Sequence, residues 1–106
     1  MQINKSANNL EPNLISKTPQ SEIATFSGSG IQITRPFSAN GTWEIQWQSI
    51  GDIFQLYLYT SNGELVGVPA NQQGSGKGTS YQPKPGSYYL QVNAIGSWNI
   101  HIVKVK

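Results

Sequence analysis

Residues 53–68 read IFQLYLYTSNGELVGV and contain the pattern that decides the fold. Apolar residues occupy the even positions from Phe54 to Leu58, and polar residues or tyrosines occupy the odd positions between and after them. Alternation with a period of two is typical of a β-strand that buries one face. Asn62-Gly63 can adopt the positive φ angles of a type I′ turn, so we expect residues 53–60 and 64–68 to form an antiparallel hairpin.

The same alternation recurs along the chain, whereas no ten-residue segment has the 3.6-residue period of a helix. Turn signals such as Asn40-Gly41, residues 83–86 (PKPG) and Ile95-Gly96 separate the candidate strands. The sequence therefore predicts an all-β, antiparallel β-sandwich, jelly-roll-like, with about eight strands. The expected strands are 23–27, 31–37, 42–49, 53–60, 64–68, 79–82, 87–94 and 97–105.

Two polar segments lack this alternation. Residues 1–20 are rich in Asn, Ser and Pro, which predicts a flexible arm or linker before a domain at 21–106. Residues 71–78 (NQQGSGKG) are rich in glycine and have no apolar anchor, which predicts a mobile loop.

Alternation also predicts which side chains form the core. Trp43, Trp47 and Trp98 fall on the apolar faces of their strands, and each indole removes about 150–250 Å² from water when it is buried. At about 25 cal/mol per Å² this burial contributes several kcal/mol for each ring, so we expect a core position for all three tryptophans.

The opposite faces of four strands carry tyrosines, amides and one histidine. If these strands are neighbours in one sheet, the residues form a single face that is either an ordinary solvated surface or a platform for a glycan or peptide. Aromatic rings stack on the apolar faces of sugars, and amides bond hydroxyl groups as donors and as acceptors. The candidate ligand-binding residues are Gln46, Gln48, Gln55, Tyr57, Tyr59, Tyr89, Gln91, Asn93 and His101, with Asn99 beside them.

Composition argues against several other classes of function. The chain has 106 residues, no cysteine, one histidine and five carboxylates, so we predict neither catalysis nor a metal or cofactor site. Lys77 follows a glycine-rich run, but the run lacks the spacing of a phosphate-binding loop. The net charge is +2 without a basic cluster, so we expect no nucleic-acid partner. No apolar run is long enough for a membrane span, and residues 1–20 do not have the pattern of a signal peptide.

Residues 42–103 resemble bacterial exported β-sandwich modules of the pre-peptidase C-terminal (PPC) kind. The similarity is carried by residues 43–45 (WEI), residues 56–59 (LYLY) with Asn62-Gly63, residues 85–92 (PGSYYLQV) and residues 98–102 (WNIHI). Such modules are jelly-roll-like, non-catalytic sandwiches attached to secreted or surface enzymes. The resemblance implies a role in substrate binding, targeting or secretion, and an extracellular or cell-surface location.

Two hypotheses follow from these observations. The first is a non-catalytic extracellular module that binds a polysaccharide or a surface protein through the tyrosine and amide residues. The second is a structural or assembly protein of a cell surface or virion, which associates through sheet edges and the arm at 1–20. The sequence does not define the oligomeric state.

Overall fold

Nine strands form two antiparallel sheets in the computed structural model, which describes residues 21–105. Sheet I has the order β1-β9-β4-β7, and sheet II has the order β2-β8-β5-β6, with β3 also paired to β8. The strands are β1 (Glu22–Ser29), β2 (Gln32–Ile33), β3 (Phe37–Ala39), β4 (Trp43–Ser49), β5 (Ile53–Thr60), β6 (Leu65–Gln73), β7 (Gly76–Gln82), β8 (Gly86–Ile95) and β9 (Ser97–Lys104). The predicted arm at 1–20 lies outside the described residues.

The connectivity confirms the predicted antiparallel, jelly-roll-like sandwich. Because β2 and β3 both pair with β8, they count as one interrupted strand, which leaves eight strands divided equally between two sheets. Most connections pass from one sheet to the other, as expected for a jelly roll. The interruption falls at Pro36, which has no backbone N–H to donate to β8, so the single strand expected at 31–37 is broken.

The core lies between the sheets and contains most of the predicted inward residues, joined by Phe37, Ala39 and Ala70. Trp43 of sheet I and Tyr88 of sheet II pack with ring centroids 4.9 Å apart. Both side chains also donate a hydrogen bond to the Lys84 carbonyl, at 2.9 Å and 2.8 Å, which fixes the turn before β8. Trp98 is buried as expected, whereas Trp47 is only half-buried and packs on the margin of the core.

The β5–β6 hairpin forms as predicted, but its turn differs from the expected type I′. The Gly63 N–H donates to the Thr60 carbonyl at 2.8 Å, and the Thr60 N–H donates to the Glu64 carbonyl at 2.9 Å. Gly63 has φ of 93°. These bonds place Ser61 and Asn62 at the centre of a three-residue loop that ends in a left-handed glycine.

The loop expected at 71–78 is in fact the end of β6 and the start of β7. Gln72 faces inward and joins the sheets: its Nε2 donates to Ser49 Oγ at 3.2 Å, and its Oε1 accepts from Trp47 Nε1 at 3.4 Å. Gly78 is the Cα partner of Trp47, and a Cβ at Gly78 would lie 2.4 Å from the indole. The segment takes a regular β conformation because the ring fills the space left by the glycine and because Gln72 bonds to the buried Ser49 hydroxyl.

Candidate functional site

The structure divides the nine candidate residues between two faces on opposite sides of the sandwich. Strands β5 and β8 are neighbours in sheet II, but β4 and β9 belong to sheet I. The outer face of sheet II therefore collects six of the candidates, which we call the tyrosine-amide face. Its members are Gln55, Tyr57, Tyr59, Tyr89, Gln91 and Asn93. The other three, Gln46, Gln48 and His101, lie on the outer face of sheet I.

Aromatic rings occupy one half of the tyrosine-amide face. Tyr59 and Tyr89 are Cα partners across the β5–β8 pairing, and their rings stack with centroids 5.2 Å apart and planes 12° apart. Tyr57 lies two residues earlier on the same face, with Gln91 as its Cα partner. All three tyrosines are half-buried. The rings thus form a small aromatic cluster on the outer face of sheet II.

Amides occupy the other half of the face and are held by hydrogen bonds to their neighbours. Gln55 Nε2 donates to Asn71 Oδ1 at 3.1 Å, and Gln91 Nε2 donates to Asn93 Oδ1 at 3.4 Å. The Tyr59 hydroxyl donates to Gln91 Oε1 at 3.5 Å. Each amide offers two N–H donors and an oxygen that accepts twice, so these bonds orient the groups and leave most of their capacity for a ligand.

Aliphatic side chains border the face. Ile53 and Ile95 are Cα partners at one end, while Leu65 and Ile33 stand beside it on β6 and β2. The exposed fractions of these side chains are 37%, 57%, 58% and 66%. Sequence reasoning missed these residues and Asn71. Strand alternation marks Ile53 and Ile95 as outward, and that signal could have found them.

Asn71 could not be placed by counting from the turn. An unbroken register from Thr60 and Glu64 would bring Pro69 opposite Gln55. The β5–β6 pairing shifts on both sides of Leu58, which adds two residues to β6 and brings Asn71 to that position instead.

The tyrosine-amide face belongs to a sheet whose strands carry no acidic or basic side chains. The strands β2, β3, β5, β6 and β8 contain no Asp, Glu, Lys, Arg or His. Asp52 precedes β5, and Glu64 follows the turn at its other end. The ionisable residues of sheet I are in β1, β4, β7 and β9, so the charges of the described strands are all on one side of the sandwich.

The remaining candidates line a shallow depression of about 190 Å³ on sheet I. Gln46 and Gln48 are the Cα partners of His101 and Asn99, and Lys77 lies next to Gln48 on β7. Gln46 Nε2 donates to a carboxylate oxygen of Glu44 at 2.8 Å. This surface mixes amides with charges of both signs and contains one exposed tyrosine, Tyr81, at its margin.

His101 is also part of a small polar cluster at the edge of sheet I. Its Nδ1 contacts the Glu22 carboxylate, which also accepts a hydrogen bond from the Thr25 hydroxyl. The hydrogen bonds from Thr25 and then from His101 lower the pKa of Glu22 from its ordinary value. All three groups are exposed or half-exposed, so the cluster ties β1 to β9 at the surface.

Within residues 21–105, no group of three or more His, Asp or Glu side chains could hold a metal ion. The same residues include no helix that could cross a membrane. Neither a protein-family model nor a curated protein sequence matches the chain.

Proposed function

We propose that this protein is a non-catalytic, extracellular binding or targeting module and that it binds a polysaccharide on the tyrosine-amide face. The observation that carries the proposal is the stacked pair Tyr59 and Tyr89 beside a hydrogen-bonded set of amides. Half-exposed aromatic rings suit the apolar faces of sugars, and oriented amides suit their hydroxyl groups. The resemblance of residues 42–103 to exported PPC-like modules supports a location at or outside the cell surface.

The choice of sheet II over sheet I rests on aromatic content and on preorganisation. The tyrosine-amide face has three tyrosines, whereas the outer face of sheet I has Tyr81 alone among its described strands. The stacked pair holds two rings in place before a ligand arrives. Less ordering entropy is then lost on binding.

Binding of a polysaccharide panel to single-alanine variants tests this proposal. Tyr57→Ala and Tyr89→Ala are expected to weaken binding by about tenfold or more, which corresponds to about 1.4 kcal/mol. Tyr81→Ala is the matched control, because it removes an exposed tyrosine from the opposite sheet. Equal affinities for all three variants and the wild type would contradict the proposed site.

The assembly hypothesis has one specific observation in its favour. Strand β6 is one of the two edge strands of sheet II, and Leu65, Val66 and Val68 on it are 58%, 48% and 49% exposed. Two register shifts and Pro69 interrupt the same strand, and such features protect natural edges from adding a further strand. We therefore rank edge-driven assembly second.

Sedimentation of the full chain measures whether this edge drives assembly. The binding proposal expects a monomer whose sedimentation coefficient does not change with Val66→Lys. Oligomers that dissociate in this variant would favour the assembly hypothesis. The route through the arm lies outside the described residues and stays a prediction.

A further inference from the structure

We propose that the tyrosine-amide face selects neutral polysaccharides and discriminates against anionic ones. The inference rests on the proposed function and adds to it the chemical class of the ligand. It is carried by the distribution of charge between the two sheets, together with the geometry of the amides.

The first step concerns the residues around the face. The five strands of sheet II contain no Asp, Glu, Lys, Arg or His, so no strand residue of the face offers a cation to a carboxylate or sulfate. Strand β5 has a charged residue near each end, and both of these residues, Asp52 and Glu64, are acidic. A polyanion that lies along β5 therefore meets negative charge at both ends of the strand.

The second step concerns the positive charges of the described chain. Lys77 and Lys104 are on sheet I, and Lys84 is in the turn between the sheets. Arg35 lies beside sheet II in the break between β2 and β3, where it lines a cleft toward β1 with Phe26 and Trp98. None of the lysines is on the outer face that carries the tyrosines, and Arg35 stands at the border of that face, outside its paired strands.

The third step compares the cost of placing each kind of ligand on the face. A charged group that loses water against aromatic and aliphatic side chains needs a counter-charge to recover its hydration free energy. A sugar hydroxyl needs only donors and acceptors. The Nδ2 groups of Asn71 and Asn93 can donate, because the amide bonds described above use only their oxygens.

Matched polymers that differ only in charge provide the test. The full-length protein is titrated with hydroxyethylcellulose and carboxymethylcellulose, and with highly methyl-esterified pectin and its de-esterified form. We expect the neutral member of a bound pair to bind about tenfold or more tightly. We also expect its dissociation constant to change less than about twofold between about 0.01 M and 1 M salt, over which the Debye length falls from about 30 Å to about 3 Å.

Two lysine variants, Gln91→Lys and Gln48→Lys, test whether the preference for neutral polymers depends on the charge of the tyrosine-amide face. A lysine at Gln91 is expected to reduce the preference for neutral polymers, because it places a cation among the tyrosines. The same change at Gln48 adds the charge to the opposite sheet and is expected to leave the preference unchanged.

The outcomes separate this inference from the proposed function. Tighter binding of the anionic polymers that is lost with Tyr89→Ala would overturn the neutral selectivity and keep the binding face. Binding that is insensitive to Tyr89→Ala, or no binding to any polymer of the panel, would overturn the proposed function itself. Equal affinity for both members of each pair at every salt concentration would also overturn the selectivity.

Discussion

Tyr59 and Tyr89 stack with offset, nearly parallel rings across the two central strands of sheet II, with 5.2 Å between ring centroids and 12° between ring planes. Cross-strand aromatic pairs of this kind stabilise a sheet by roughly 0.2–1 kcal/mol relative to alanines. Here the pair also fixes the position of the rings that we propose to contact the ligand. Its members therefore have two effects, on stability and on binding, which variants can separate.

Tyr59→Phe separates these two effects. The variant keeps the stacked ring and loses the hydroxyl that donates to Gln91 Oε1. We expect the free energy of unfolding to change by less than about 1 kcal/mol, because that hydrogen bond is long and lies at the surface. We expect polysaccharide affinity to fall by a smaller factor in Tyr59→Phe than in Tyr59→Ala, as isothermal titration would measure.

Gly78→Ala tests the packing of Trp47 at the margin of the core. A Cβ at Gly78 would lie 2.4 Å from the indole, so the ring must move. Overpacking of this kind costs about 1–3 kcal/mol, which urea denaturation followed by tryptophan fluorescence would measure. Gly67→Ala is the control, because a Cβ there has nothing within 4 Å. A loss of stability that is equal in the two variants would contradict this account.

Gln72→Ala tests the polar link between the sheets. The change removes the partner of the buried Ser49 hydroxyl and of Trp47 Nε1. Leaving the buried Ser49 hydroxyl without a partner costs about 1–3 kcal/mol. Gln73→Ala, at the exposed neighbouring position, is expected to be almost neutral in the same thermal or urea unfolding experiment. Two variants of equal stability would show that the link contributes nothing.

Glu22→Gln tests the pH dependence at the β1–β9 edge. The folded-state pKa of Glu22 is lowered, so its stabilising contribution is present above the unfolded-state pKa of about 4.3 and is lost as the pH falls through the folded value. We expect the variant to be less stable than the wild type at pH 6 and the difference to shrink towards pH 3. Urea unfolding across this range measures it, and Glu64→Gln in the exposed turn is the control. A difference that grows on acidification would contradict the assignment.

The core could be predicted from the sequence because burial follows a two-residue period along β5 and β8 and along most of β4 and β9. Trp43, Leu56 and Ile100 all lie inside as alternation predicts. Alternation assigns a side chain to one of two faces, but it does not say which strands share a sheet. For that reason His101 was expected beside Tyr57, whereas the jelly-roll order places β9 in the opposite sheet.

The predictions for the segment at 71–78 and for the register of β6 were wrong for a different physical reason. The segment at 71–78 lacks apolar residues, and its order depends on Trp47 filling the space beside Gly78 and on the bonds of Gln72. These are tertiary contacts with partners more than twenty residues away, so no local pattern encodes them. The shifts of β6 around Leu58 are equally invisible in a strict period of two.

The central claim is that the tyrosine-amide face is the binding surface, and side-chain amide NMR tests it most directly. In a titration with a neutral polymer that the protein binds, we expect the NH₂ signals of Gln55, Gln91 and Asn93 to shift together and to saturate with one dissociation constant. The NH₂ signals of Gln46, Gln48 and Asn99 on sheet I are expected to stay in place. Shifts confined to the sheet I amides would contradict the account.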